Sequence, residues 1–281
     1  MPGGNDSYGA TIIADGPIGW FRFSELLAGS AITAGSQDPQ ALCLDSSASG
    51  NLNPGVIPYP NASYLQYGSA VVANSPSLLT TRGPNNDGGS ALFPSTATQA
   101  LINMVSSPDG GDLILQPTAA VTVEAWHTPN VIGANAKQVL VCYGTDASSL
   151  ASYCLFHSGT TAINHVFAFA VNIAGTLRTA TAALPALVVG TTYHAVGVYT
   201  GTAVQIFVNG VLQGTTAITG AIQYAAFPGL GLAFGNDPSN TDANLQGSLD
   251  EAAIYSQPLT LSRIAYHYRQ GSTLLPFVWR H

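Results

Sequence analysis

Residues 193–215 read YHAVGVYTGTAVQIFVNGVLQGT and contain the clearest local structural signal in the chain. Apolar side chains occupy alternate positions on both sides of a Thr-Gly-Thr turn, as they do in half-buried strands. The dipeptide Asn209-Gly210 then separates Val208 from Val211. Asn-Gly suits a type I′ hairpin because both central residues need positive φ. The segment therefore predicts a three-stranded antiparallel meander.

Short apolar segments of the same kind recur along the chain between Gly, Pro, Asn and Asp turns. This punctuation, at this spacing, is typical of an all-β protein built as a two-sheet sandwich. Together with the meander, we predict strands over residues 18–23, 121–128, 138–143, 153–157, 165–172, 192–200, 203–208, 231–235 and 247–255.

Two stretches have helical character instead. Ser7 can cap a short helix over residues 8–14, which Gly16-Pro17 would end. Thr260 can cap a second helix over residues 261–270. For this helix the sequence predicts a stop at Gly271, because glycine is favoured just past a helix C-terminus.

The composition limits the classes of partner. Hydrophobic residues make up 46% of the 281 residues, and charged residues only 7%, against roughly 25% in an average soluble domain. The net charge of −7 and a single lysine, Lys137, argue against nucleic acid and anionic membranes as partners, since both attract basic surfaces. A surface poor in Lys, Glu and Asp is typical of interface cores. We therefore expect assembly with other copies or other proteins, although compositional drift would produce the same numbers.

The ends of the chain carry no targeting signal that we recognise. No apolar run reaches the roughly 18 to 20 residues of a membrane-spanning helix, and MPGGNDSYGA at the N-terminus has neither the basic nor the apolar part of a signal peptide. The expectation is a chain that is not exported by the general secretory route.

Several segments, in order along the chain, resemble one family. YGATIIADGPIGWFRFSE (residues 8–25) resembles an entry helix followed by a strand, VTVEAWHTPN (121–130) a central Thr-Val-Glu-Ala-Trp strand, and residues 245–271 a closing strand with its helix. LCLDSSASGNLNPG, SALFPSTATQALIN and the meander fit the same order. Together they resemble the laminin G-like jelly roll of the concanavalin A-like lectin/glucanase superfamily.

This resemblance implies an all-β fold, namely a two-sheet antiparallel jelly-roll sandwich with a short N-terminal helix and a C-terminal helix. It covers residues 8–271, so we predict an N-terminal arm at residues 1–7 and an apolar C-terminal tail at 272–281. Relatives often place Glu in the first turn of the last helix, where this chain has Arg263.

The superfamily includes glycoside hydrolases, which commonly use two carboxyl groups facing one cleft. Asp250 and Glu251 are adjacent, and neighbouring residues of a strand point to opposite faces. We therefore predict that they cannot form such a pair. The glucanase signature Glu-x-Asp is absent, and Glu124 lies in a strand where alternation separates it from Val123 and Ala125. The expectation is no enzymatic activity, with Glu124 and Glu251 in structural pairs.

The histidines show no catalytic spacing. No Gly-x-Ser-x-Gly or His-Glu-x-x-His motif is present. His194 is interpreted as a histidine at the edge of the core that donates a hydrogen bond, and His157, His165 and His267 receive no functional role.

A calcium site is one hypothesis for the loop FGNDPSNTDANLQGSLDE. Calcium takes about six to eight oxygen ligands, and the hypothetical carboxylate ligands are Asp237, Asp242 and Asp250. The alternative is a solvated turn rich in Asn and Asp.

Carbohydrate binding is a second hypothesis. Tyrosines in loop-like sequence could stack on a sugar, but tyrosines at a protein interface would look the same. These candidates are Tyr59, Tyr64, Tyr67 and Tyr224.

Two cysteines are placed symmetrically about a polar loop. Cys142 and Cys154 are equidistant from Ser148 and would face each other across a hairpin. They could form a disulfide if oxidised, or remain as buried thiols.

From the residues and the resemblance together, we predict a non-enzymatic binding and structural module. The preferred hypothesis is a bacteriophage virion component, that is a decoration, head-fibre or minor tail protein, with homo-oligomers or other virion proteins as partners and a cell-surface glycan as a further contact. The alternative is an extracellular carbohydrate-binding or adhesion protein, and a glycoside hydrolase is the least favoured.

The calcium hypothesis gives a direct thermal test. If the loop holds Ca²⁺, millimolar CaCl₂ should raise Tm relative to the same protein in EGTA, because an ion bound only by the native state stabilises it. Asp242→Ala should remove most of that increase. A calcium-dependent increase that Asp242→Ala leaves unchanged would exclude Asp242 as a ligand.

Overall fold

A computed structural model describes residues 7–24, 42–48, 64–67, 71–79, 89–94, 102–105, 113–133, 137–144, 151–161, 164–183, 186–224, 231–236 and 244–272. The described helices are α1, Ser7–Ala14, and α2, Leu261–Ser272. The strands are β1 Gly19–Phe21, β2 Leu42–Cys43, β3 Tyr64–Tyr67, β4 Val72–Pro76, β5 Gly89–Phe93, β6 Ile102–Val105, β7 Val121–Pro129, β8 Lys137–Tyr143, β9 Tyr153–Ser158, β10 Val166–Ile173, β11 Thr176–Thr181, β12 Tyr193–Tyr199, β13 Ala203–Val208, β14 Val211–Ala217, β15 Leu232–Phe234 and β16 Gly247–Tyr255.

These strands form two antiparallel sheets. In sheet A the order is β14-β13-β12-β7-β16-β5-β4, and β1 also pairs with β16. In sheet B the order is β11-β10-β9-β8-β15-β6-β3-β2. The predicted jelly-roll sandwich with a helix near each end of the chain is therefore confirmed.

The meander of residues 193–215 forms β12, β13 and β14, which are consecutive in sheet A. Asn209 and Gly210 have φ values of 51° and 79°, as the type I′ turn requires. Side chains alternate as predicted, with Ala195 in the core between the sheets and Val196 in a separate cluster on the outer face of sheet A. The outer face is therefore also buried, and both helices lie over it.

Helix α1 packs its Tyr8 and Ile12 into this outer cluster, and α2 contributes Ile264. Gly16, with φ 62°, follows α1 as predicted. The Thr260 hydroxyl accepts a hydrogen bond from the Arg263 amide at 3.3 Å, which confirms the predicted cap of α2.

The predicted stop at Gly271 is wrong, because α2 continues to Ser272. Position 271 is a glycine because Trp126 leaves no room for a side chain there. A Cβ on Gly271 would lie 2.2 Å from Cζ2 of Trp126. The helix therefore approaches the indole more closely than any residue with a side chain would allow.

The predicted strands all occur, with ends shifted by one or two residues. Strands β6 and β11 were not predicted, whereas β2 to β4 lie within residues 28–90, where short strands are expected without defined bounds, and β5 includes the SALF segment that resembles a family strand. Strand β11 reads TLRTAT and exposes most of its side chains, since it forms the edge of sheet B. It therefore lacks the apolar alternation by which strands are recognised.

Cys142 and Cys154 are direct partners across β8 and β9, as the hairpin prediction required. Both side chains are buried and are not joined by a disulfide. Among the described residues, no helix is long and apolar enough to cross a lipid bilayer.

The contact between Gly271 and Trp126 predicts an unusual sign for a glycine substitution. In an exposed helix, Gly→Ala stabilises by about 1 kcal/mol. Here Gly271→Ala should destabilise by about 1 to 3 kcal/mol, because the added methyl group overlaps a rigid indole. Urea unfolding measures the difference.

Arg269→Ala serves as the control, since Arg269 is exposed on the same helix. It should change the free energy of unfolding by less than about 0.5 kcal/mol. A Gly271→Ala variant more stable than the wild type would mean that α2 does not dock on Trp126.

Candidate functional site

A fully buried carboxylate, Glu124, lies at the centre of the outer face of sheet A. Strand β7 alternates, so Val123 and Ala125 face the core between the sheets while Glu124 faces the helices. The prediction that alternation separates Glu124 from these two neighbours is confirmed.

Three donors surround the Glu124 carboxylate. His194 Nε2 on β12 lies 3.0 Å from Oε2, and His267 Nδ1 on α2 lies 3.0 Å from the same oxygen. The Tyr255 hydroxyl on β16 donates to Oε1. His194 therefore has the hydrogen-bonding role predicted for it, but it is wholly buried rather than at the edge of the core.

Charge balance determines the protonation of this group. Burial raises the pKa of Glu124, but the His267 charge and the hydrogen bonds from His194 and His267 outweigh burial and lower the pKa overall. Burial lowers the pKa of His267, and here the Glu124 charge outweighs it and raises the pKa overall. Glu124 is therefore ionised and His267 is protonated, and the two form a buried ion pair. The pKa of His194 is lowered by burial, so His194 stays neutral and donates through Nε2.

The network extends to the molecular surface through Asp15, which follows α1. His267 Nε2 lies 2.7 Å from Asp15 Oδ2, so both ring nitrogens of His267 face carboxylate oxygens. Arg263 Nη2 lies 2.8 Å from the same Asp15 oxygen and also donates to the Thr11 carbonyl. The arginine that departs from the family pattern thus joins α2 to α1.

Asp250 and Glu251 contradict the argument from strand alternation. A β-bulge lies between Asp250 and Ala253, and Glu251 has φ 50°. Asp250 Oδ2 accepts hydrogen bonds from the Ser77 hydroxyl and the Leu78 amide. With a residue inserted in the strand, both acidic side chains lie on the outer side of sheet A.

Glu251 has its own partners. Its Oε2 accepts a hydrogen bond from Trp20 Nε1 at 2.6 Å, and its Oε1 lies 3.2 Å from Arg22 Nε. Asp250 and Glu251 therefore lie on the same side of sheet A, but these hydrogen bonds connect them to different partners. Both residues are fully buried. The expected structural pairing of Glu251 is present.

The spacing of apolar residues in β16 indicates that one residue is inserted in the strand. Leu249 and Ile254 both face the core, yet they are five residues apart and would lie on opposite faces of a regular strand. One inserted residue is needed to bring both inward.

The predicted ligand-binding tyrosines are only partly described. Tyr59 lies outside the described residues, and the side chains of Tyr64 and Tyr67 on β3 do as well. Tyr224 is half-buried and donates its hydroxyl to the Pro117 carbonyl. Its ring packs edge to face on Tyr143 and Tyr153, and burial raises its pKa well above the ordinary value. A sugar-stacking role for these tyrosines stays a prediction.

The calcium candidates Asp237 and Asp242 also lie outside the described residues. Asp250 lies on the outer face of sheet A beside Ser77. Among the residues that the structure describes, no group of three or more His, Cys, Asp or Glu side chains is arranged to hold a metal ion. The calcium site stays a prediction.

Comparison with known families supports the fold and its ancestry. The family model described as the concanavalin A-like lectin/glucanases superfamily, of the laminin G type, matches residues 99–265, more than half of the chain. The chain therefore belongs to this superfamily. No curated protein matches it.

Solved structures of similar fold include bacterial toxin binding domains. The ligand-binding domain of botulinum neurotoxin serotype D, solved in complex with N-acetylneuraminic acid, has a TM-score of 0.56 at 11% identity, covering 94% of this chain and 52% of that one. The binding domain of Paraclostridial mosquitocidal protein 1 has a TM-score of 0.52 at 11% identity, covering 75% and 48%. The chain thus spans about half the length of these domains, and at such identities the likeness concerns the fold alone.

The Glu124 network predicts a large loss of stability when one partner is removed. Glu124→Gln should cost about 3 to 5 kcal/mol in the free energy of unfolding, because it leaves the His267 charge without its buried partner. Tyr255→Phe removes only one hydrogen bond to a charged group and should cost about 1.5 to 3 kcal/mol. Urea unfolding at pH 7 measures both, and a Glu124→Gln loss below about 1 kcal/mol would contradict the charged state proposed for this pair.

The same network predicts a pH dependence. The unfolded pKa of His267 is near its ordinary value of 6.5, and the folded pKa is higher. The stability that His267 contributes is therefore complete below pH 6.5 and is lost as pH rises through the folded pKa. NMR titration should find the His267 pKa raised in the wild type and lower in Glu124→Gln. Equal values in the two proteins would contradict the pairing.

Proposed function

We propose that this laminin G-like sandwich is a non-enzymatic binding and structural module that serves in a bacteriophage virion, as a decoration, head-fibre or minor tail protein. The binding role is supported by the superfamily, whose description includes lectins, and by the binding domains among its structural neighbours. The virion role goes further and is inferred from the sequence and its surface.

The low charge content of the chain, 7% of its residues, supports the proposal, and the described acids point the same way. Within the ranges that the structure describes, every Asp and Glu is used inside the fold. Asp45 accepts hydrogen bonds from the Trp20 and Ser47 amides, Asp15 bridges the two helices, and the remaining three, including Glu124, are fully buried. These five described carboxylates are therefore engaged inside the fold, and the other nine acidic residues lie outside the described ranges.

This arrangement does not suit a glycosidase. Such an enzyme needs two carboxyl groups facing the substrate in one cleft, whereas Glu124 and Glu251 are enclosed by their own donors. Activity of the purified protein on a broad panel of polysaccharides, abolished by Glu124→Gln without loss of folding, would contradict a purely binding role.

The low charge content of the whole sequence, 7% of its residues, suits assembly. Contact surfaces with few charges lose little hydration energy when they are buried. At one end of the sandwich, Val188 and Val189 are 60% and 54% exposed, and Val131 is 41% exposed. The Gly190 amide donates to the Pro129 carbonyl, which brings the two loops together. We name the three side chains the valine patch and propose that it contributes to contacts between subunits.

An assembly experiment tests this role. In sedimentation velocity the wild type should form a discrete oligomer, and antibodies against it should label purified phage particles. The double variant Val188→Asp/Val189→Asp should shift the protein to smaller species, since a desolvated charge at a contact costs several kcal/mol.

Val211→Asp is the matched control, because Val211 is 56% exposed but lies at the β13–β14 turn, outside the valine patch. A wild type that sediments as a monomer at all concentrations and never associates with particles would overturn the virion role.

Glycan binding in an extracellular adhesion protein is the second candidate. It is favoured by the sialic acid complex of the toxin domain of similar fold. A glycan array with and without Ca²⁺ tests it, and saturable binding that is lost on substitution of Tyr59, Tyr64 or Tyr67 by alanine would favour this role over assembly alone.

A further inference from the structure

Three histidines lie between the two sheets at the end of the sandwich that carries the valine patch. His127 is on β7 of sheet A, His157 is on β9 of sheet B, and His165 directly precedes β10 of sheet B. Each follows the inward alternation of its strand, as Leu155 and Phe167 do in sheet B. All three are fully buried.

The three rings form one contact group. The His157 ring stacks on His127 at 5.4 Å between centroids and meets His165 edge to face at 5.3 Å. His157 Nδ1 lies 3.0 Å from His165 Nδ1, so one nitrogen donates and the other accepts. His127 Nδ1 lies 3.0 Å from the Ser248 carbonyl, to which it donates. The Nε2 atoms of His127 and His157 are buried with no hydrogen-bond partner, whereas His165 also bonds to the Gly133 backbone.

We propose that His127, His157 and His165 form an acid-sensitive latch, which joins the two sheets while the rings are neutral and opens this end of the sandwich when they are protonated. The proposal does not depend on the function proposed above. It follows from a neutral contact that spans the sheet interface and cannot accommodate positive charge.

Among the residues that the structure describes, no carboxylate faces the latch from the elements packed around it. Sheet A offers the Ser248 carbonyl and Tyr193, whose hydroxyl accepts from the Val188 amide. Sheet B offers Gln138, beside His157, whose amide bonds to backbone groups. Lys137 lies over the Phe156 ring on the other face of sheet B.

The nearest described carboxylate along β16 is Asp250, and it faces the opposite side of sheet A. A proton taken up by the latch therefore adds a positive charge with no partner.

Burial also lowers the pKa values of the three histidines and so disfavours their protonation. Burial lowers the pKa of His127 to about 4 from its ordinary value of 6.5. Burial, and then the charges of His127 and His165, lower the pKa of His157. Burial also lowers the pKa of His165, and it outweighs the hydrogen bond to the Gly133 backbone, which raises that pKa. The unfolded or opened chain therefore binds protons that the closed form does not. Stability from the latch is complete above pH 6.5 and falls as pH decreases toward 4.

Opening would affect the loops at this end. The Leu187 amide donates to the His165 carbonyl, so the connection that carries Val188 and Val189 begins at the latch. The Asn130 amide donates to the Gln246 carbonyl close to His127. Separation of the latch would loosen both loops and expose the apolar core beneath them.

Hydrogen exchange read by mass spectrometry tests the latch on the full chain, after correction for the intrinsic pH dependence of exchange. Between pH 7.5 and 4.5, peptides that cover β9 and β10 should lose protection below pH 6.5, while β13 and β14 stay protected. His157→Phe keeps a flat ring beside Phe167 but cannot be protonated. It should move the onset of the loss by at least one pH unit toward acid.

His165→Gln, which also cannot be protonated at these pH values, provides a second variant if His157→Phe fails to fold. His281→Ala, at a position outside the described residues, removes one histidine elsewhere and should leave the onset unchanged. An unchanged onset in His157→Phe, or wild-type protection that persists to pH 4.5, would overturn the latch. So would Zn²⁺ protection at neutral pH that the variant abolishes, because the free Nε2 atoms would then be metal ligands.

Discussion

The burial of the Glu124 carboxylate is the constraint on which most of sheet A and its helices depend. An ionised carboxylate removed from water costs several kcal/mol unless donors surround it. Its donors come from three elements, since His194 is on β12, Tyr255 on β16 and His267 on α2. The strand register and the position of α2 must therefore be correct together before the carboxylate is satisfied. A misplaced helix would leave a buried charge without a partner.

The bulge in β16 follows from the same constraint. In a regular strand, Ile254 and Leu249 would face opposite sides, and Tyr255 would point into the core. The inserted residue at Glu251 brings Ile254 into the core and Tyr255 to Glu124. Holding a non-glycine residue at φ 50° costs of order 1 kcal/mol. The hydrogen bonds of Glu251 to Trp20 and Arg22 offset that cost and attach β1 to the sheet.

Sequence alone could predict the features that depend on local periodicity and turn chemistry. The Asn209-Gly210 hairpin and the outward direction of Glu124 are examples, because each needs only neighbouring residues. The adjacent acids Asp250 and Glu251 were misplaced because alternation holds only within an unbroken ladder. Gly271 was misread because a close approach to Trp126, far away in sequence, has no local signal. The histidine group spans two sheets and 39 positions of the chain, so only the fold brings its members together.

His267 and the histidines of the latch differ in protonation because their surroundings differ. His267 lies between two carboxylates, and their charges raise its pKa despite burial. His127 is equally buried but faces a backbone carbonyl, so burial lowers its pKa. Acid therefore leaves the helix-covered face of sheet A paired while it disfavours the contact between the sheets. The two groups therefore respond to acid in opposite ways, because carboxylates face His267 while the described neighbours of His127 are neutral.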